Sequence, residues 1–134
     1  MTRVSKDPEQ RKQELLDAAL ALFLEAGYGG TSVSAIVKRI GVAQGTFYYH
    51  FASKSDVLDA VLLRQIDPLL TLLRSIVRDD SLVPRRKALR VVDALFFAMR
   101  ADRDLIAQLS LPSNDVMHFR FAELLTVRLL PLLR

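Results

Sequence analysis

The 134 residues are 51% apolar and carry a net charge of +4, with 19 Lys and Arg against 15 Asp and Glu. That length holds one compact domain, or a small domain with part of a second, and that apolar content excludes a disordered chain. The absence of cysteine excludes a disulfide framework, a thiolate metal site and a thiol nucleophile.

The modest basic excess permits nucleic acid as a partner without demanding it. Its distribution says more. No Asp or Glu occurs between Glu25 and Asp56, whereas Lys38, Arg39 and Lys54 fall in that window. Three cations alone fit an ordinary solvated face equally well. No run approaches the roughly 18–20 apolar residues of a membrane span. The basic start, "MTRVSKDPEQRKQ", has no apolar stretch behind it and is not a signal peptide. The expectation is a cytoplasmic protein with no membrane partner.

All five glycines lie between 27 and 45 and punctuate the chain there. Asp7 is placed to cap a first helix, with Pro8 in its first turn and Gln10 at the capping-box spacing. Leu15, Ala19 and Phe23, with Leu16, Leu20 and Leu24, form an i, i+4, i+8 stripe that Gly27 ends. "GYGG" is a turn. Thr31 or Ser32 caps a second helix over 33–40, stopped by a left-handed backbone at Gly41. A third short helix covers 44–50. Ser53, with Asp56 three residues on, caps a long fourth helix that keeps apolar spacing from Val57 to Val77, and Pro68 predicts a kink or break in it. Pro84 opens a fifth helix to about 99, a sixth covers 102–109, "LPSND" is a turn, and a seventh runs from 115 to the end. No segment alternates with period two, so the expected fold is all-α.

Two short helices joined by a glycine turn and packed on a longer preceding helix make a helix-turn-helix. The faces of the third helix sharpen this. At about 100° per residue, Phe47 and Phe51 share one side, expected against Leu20, Phe23, Ile36 and Ile40. Gly45 and Tyr49 point nearly the opposite way, with Gln44 and Tyr48 on one flank and Thr46 and His50 on the other. That outward surface offers an amide, hydroxyls, an imidazole and a glycine, and no carboxylate. Amides and hydroxyls bond base edges and phosphate oxygens. His50 could instead be a structural histidine. As a metal ligand it would need a second ligand nearby, and the other histidine is His118.

Residues 31–61, "TSVSAIVKRIGVAQGTFYYHFASKSDVLDAV", closely resemble the DNA-binding domain of the tetracycline repressor family of bacterial transcription regulators. Gly27, "TSV", Ile36, "GV", "GTFYYHF" and Lys54 carry the resemblance, which covers about residues 8–62. It implies a helix-turn-helix DNA-binding domain over 1–54 and a helical regulatory domain over 55–134. It further implies a homodimer on a palindromic double-stranded DNA operator, and a small-molecule effector that moves the fourth helix. By position, Gln44, Gly45 and Tyr49 are base-edge or groove contacts and Ser34 reaches a base. Ser32, Thr46, Tyr48, His50 and Lys54 are phosphate contacts. Arg3, Lys6, Arg11 and Lys12 are candidates for further backbone or minor-groove contacts. Many relatives carry charged or longer polar side chains where this chain has Ser34, Ala35 and Ala43, so direct base readout is expected to be thin and DNA shape correspondingly important.

The same resemblance makes the second half the effector region, with Phe96, Met99, Met117, His118 and Phe121 as candidate ligand contacts; plain core is the competing reading of each. Relatives usually continue with two further helices that form the dimer interface, so "LLTVRLLPLLR" is expected to be the end of a fragment or of a shortened member. The basic start of the fifth helix, Arg85, Arg86 and Lys87, runs against the helix dipole. No metal-ligand spacing, phosphate loop or nucleophile motif is present, so no catalytic residue and no cofactor is expected. The competing function is a helical protein–protein interaction module, which predicts absent or salt-insensitive DNA binding.

Overall fold

The computed structural model describes residues 6–133, and all regular structure among these is helical. Seven α-helices follow the expected order: α1 (Pro8–Ala26), α2 (Val33–Ile40), α3 (Gln44–His50), α4 (Lys54–Val77), α5 (Pro84–Ala101), α6 (Arg103–Leu109) and α7 (Asp115–Leu129). Single 3-10 turns precede α7 at Pro112–Asn114 and follow it at Leu130–Leu133. The chain forms two compact units, the first ending at Val61 and the second starting at Leu62. The division between the units falls inside α4, whose first turns bury Val57, Leu58 and Val61.

In the first unit, the stripe on α1 buries Leu15, Ala19 and Phe23, which share the core with Ile36 of α2 and Phe47 of α3. Local chemistry fixes how these helices are strung. Asp7 holds the cap position of α1, but its carboxylate makes no capping bond. Pro8 supplies the helical φ, and the Asp7 carbonyl accepts the Arg11 amide at 3.0 Å. Of the two candidate caps for α2, Ser32 does the work, its Oγ accepting the Ala35 amide at 3.0 Å. Thr31 is buried instead and donates its hydroxyl to the Gly27 carbonyl at 2.9 Å, tying the turn to the end of α1. A Cβ on Gly30 would lie 2.3 Å from the Ala26 carbonyl oxygen, so the turn can close only on a glycine.

Gly41 ends α2 in the left-handed region, φ 71° and ψ 38°. Its amide reaches the Lys38 carbonyl at 3.2 Å and the Val42 amide reaches Val37 at 3.0 Å, the paired bonds of a Schellman stop. This turn sets α3 on α2. At the head of α4, Ser53 Oγ accepts the Asp56 amide at 3.1 Å and Asp56 Oδ2 accepts the Ala52 amide at 3.0 Å. These reciprocal bonds satisfy two otherwise orphaned donors.

In the second unit, α4 runs on continuously past Pro68, so of the kink or break that the proline predicts, the break does not occur. Ile66, Leu70 and Leu73, on either side of the proline, are all buried. Leu73, Ile76 and Ala94 centre a cluster with Leu69, Val91, Leu95, Leu129 and Leu132 against it. The basic start of α5 also finds a use here. Lys87 donates to the Val77 carbonyl at 2.7 Å and so caps the C-terminus of α4, where a cation is favoured.

Candidate nucleic-acid interface

α3 has seven residues and two faces that its sequence separates cleanly. Phe47 is fully buried and Phe51 nearly so, with their ring centroids 5.6 Å apart. Burying two such side chains contributes about 3–6 kcal/mol, which anchors a helix too short to be stable alone. The opposite face is left open: Tyr48 is 54% and Tyr49 76% exposed. Tyr48 meets Phe47 edge-on at 5.2 Å, and Tyr49 meets His50 edge-on at 4.9 Å. Gln44 and Gly45 are exposed, and Thr46 and His50 half-buried.

Gly45 is informative because the fold does not need it. A Cβ there would meet nothing within 4 Å, and its backbone is helical. A helical glycine that costs stability, and that no neighbour requires, leaves its Cα surface bare toward whatever approaches from outside.

Ser34 and Gln44 are brought together: Gln44 Nε2 donates to Ser34 Oγ at 2.5 Å, so the amide and hydroxyl form one polar unit bridging α2 and α3. Ser32 stands exposed at the α2 cap, its oxygen engaged with the Ala35 amide and its hydroxyl proton able to donate outward. A shallow groove of about 760 Å³ lies between Lys6, Pro8 and Arg11 of the α1 start and Gly45, Thr46 and His50 of α3. Arg3 lies outside the described residues. Behind the groove, Glu14 holds Lys6 and accepts Arg11 Nη1 at 2.8 Å.

Lys54 is placed differently from a free phosphate ligand. Its Nζ donates to the Tyr28 carbonyl at 3.0 Å and sits 4.2 Å from the centre of the Tyr28 ring. The ring in turn packs on Phe23 at 5.3 Å. Burial first, and the Asp59 carboxylate second, push the Tyr28 phenol above its ordinary pKa, so it stays neutral beside the cation. Lys54 therefore joins the head of α4 to the α1–α2 turn. An ammonium keeps further donors for a partner outside the chain. The roles of Glu14 and Tyr28 escape the sequence reading. The Arg11–Glu14 spacing of three is a visible signal, whereas nothing local points from Lys54 to Tyr28.

In the second unit, a cavity of about 250 Å³ is walled almost wholly by apolar side chains, among them Leu95, Ala98, Met99, Ile106 and Phe121, with Gln65 and Asp102 also in its lining. Of the candidate effector contacts, Met99 and Phe121 line it. Phe96 and His118 are exposed at the surface, and Met117 is a fully buried core residue. Among the described residues, no cluster of His, Asp or Glu could hold a metal, and no helix is long and apolar enough to cross a membrane.

Residues 15–61 match the family model for bacterial regulatory proteins, tetR family. The chain is similar to the HTH-type transcriptional repressor KstR2 of Mycobacterium tuberculosis, 39% identical over 77 residues that cover 58% of this chain and 38% of that protein. Among solved structures it resembles the fatty acid degradation regulator FadR from Bacillus halodurans (TM-score 0.63, 28% identity, 92% of this chain and 63% of that one). It also resembles the ketosteroid transcriptional regulator KstR2 of Mycobacterium tuberculosis (TM-score 0.56, 30% identity, 90% of this chain and 65% of that one). The chain thus spans 38% of the curated repressor and less than two thirds of either solved structure.

Proposed function

We propose that this chain, which through residues 15–61 belongs to the tetR family of bacterial regulatory proteins, is a sequence-specific DNA-binding transcription regulator that acts in the cytoplasm as a homodimer and answers to a small molecule. The observation that carries the reading is the outward face of α3. It offers an amide, hydroxyls, an imidazole and an unneeded glycine, with no carboxylate, on a helix anchored from behind by Phe47 and Phe51. Gln44, Gly45, Tyr49 and Ser34 read the groove. Ser32, Thr46, Tyr48, His50 and Lys54 grip phosphates. Two such helices in a dimer address half-sites about 34 Å apart, one turn of duplex.

The effector is an apolar molecule with a carbonyl, carboxylate or hydroxyl group. The apolar wall with Met99 and Phe121 suits the apolar body of such a ligand, and the Gln65 amide can hydrogen-bond its polar group. Two relatives are named for fatty acids and ketosteroids, which share that chemistry. The chain is a binding protein and not an enzyme in this reading, and it needs neither metal nor cofactor.

Selection of DNA from a random pool by the purified chain tests this. A palindromic enriched site is the expected result, with affinity falling steeply as salt rises. No enrichment at low salt would refute it, and salt-insensitive DNA binding would favour a protein-interaction module instead.

A further inference from the structure

The groove beside α3 is lined by Lys6, Arg11 and His50, and no carboxylate lines it among the described residues. The carboxylate that controls two of these cations lies off the groove. Glu14, in the second turn of α1, holds Lys6, eight residues earlier, with one oxygen. With the other it accepts Arg11 Nη1 at 2.8 Å. Lys6 precedes the helix, and its side chain reaches forward to Glu14 in the second turn. Without this partner, both long side chains would be free to point into water, and each would lose rotamer freedom on meeting a phosphate.

We infer that Glu14 is a positioning residue for DNA binding: it gathers Lys6 and Arg11 on the α1 rim of the groove so that they meet the same stretch of backbone as Thr46 and His50 on α3. This rests on the DNA-binding reading above. The trio keeps a net charge of +1, so the rim stays attractive to phosphate while its two cations are set in place beforehand. The cations beside Glu14 hold its carboxyl below the ordinary carboxylate range, chiefly through the Lys6 hydrogen bond, so the clamp persists at neutral pH.

The sign of one substitution separates this from the plain electrostatic alternative. A carboxylate near DNA that merely repels phosphate makes Glu14→Gln bind more tightly. A positioning carboxylate makes the same variant bind more weakly, by about three- to tenfold, as the ordering of two cations is lost. The probe is a labelled duplex carrying the site that the wild-type chain enriches from random DNA, titrated over a range of salt. In a Lys6→Ala/Arg11→Ala background, Glu14→Gln should no longer weaken binding, and thermal melting should report a folded chain throughout. Binding by Glu14→Gln equal to or tighter than wild type overturns the inference, as does an equal loss in the doubly substituted background. A wild-type chain that binds no duplex refutes the DNA-binding reading itself, so the two failures are distinguishable.

Discussion

Gly45→Ala should make the protein more stable and worse at binding DNA. Gly45 sits in the first turn of α3 with helical backbone, and a Cβ there meets nothing within 4 Å. Replacing a helical glycine by alanine at a compatible site stabilises by about 0.4–1 kcal/mol, mainly by restricting the unfolded chain. The low end applies close to a helix start, giving a rise in melting temperature of about 1–3 °C. Toward DNA the same methyl group projects from the exposed face, between Tyr48, Tyr49 and the groove. If the backbone of α3 closes on the duplex there, the added methyl is an overpacking defect of about 1–3 kcal/mol, or about 5- to 150-fold in Kd. Thermal melting and fluorescence anisotropy on one preparation read both quantities. Equal affinity for the selected duplex would show that nothing approaches Gly45 and would remove α3 from the groove. A lower melting temperature would contradict the open space around its Cα.

Substitutions at three further positions divide the labour of the site. Tyr49→Ala, at a side chain 76% exposed, should change stability by less than about 0.5 kcal/mol and still weaken operator binding; Tyr49→Phe then separates ring from hydroxyl, and unchanged affinity in both would remove Tyr49 from the interface. Lys54→Met should cost about 1 kcal/mol of stability, a charged hydrogen bond discounted for partial exposure, because it unties α4 from the Tyr28 carbonyl. A melting curve identical to wild type would mean that Lys54 does not fasten the helix. Ser32→Ala removes both the α2 cap and a phosphate donor, so about 1 kcal/mol of stability and measurable affinity should be lost together, whereas Ser32→Gly should recover most of the stability and none of the affinity; affinity restored by glycine would limit Ser32 to capping.

The division of α3 into anchor and display was legible because it depends only on spacing. Once a seven-residue helix packs by one side, Phe47 and Phe51 must be that side and Tyr49 must be opposite. Choices that depend on distant partners were not legible. Thr31 and Ser32 are equally good caps on paper, and burial against the Gly27 carbonyl is what withdraws Thr31. The intramolecular partner of Lys54, the Tyr28 carbonyl, is 26 residues away and has no side-chain signature. Met117 and Met99 are chemically alike, yet one is fully buried in the core and the other reaches the cavity. Helical periodicity alone does not rank positions by depth.

Pro68 shows how packing overrides a local rule. A proline inside a helix forfeits one hydrogen bond and crowds the carbonyl four residues back, a cost of about 3 kcal/mol. Ile66, Leu70 and Leu73 are each at least 97% buried around it, and each contributes about 1.5–3 kcal/mol by staying so. Breaking α4 at 68 would rotate the second group away from the first and lose more than the proline costs. The exposed side of the helix, where Asp67 and Pro68 lie, is also where carbonyls already tilt toward water and can give up a bond most cheaply. The proline is tolerated because it sits on that side. Moving it two positions on, to the buried Leu70, should break the helix that Pro68 leaves intact.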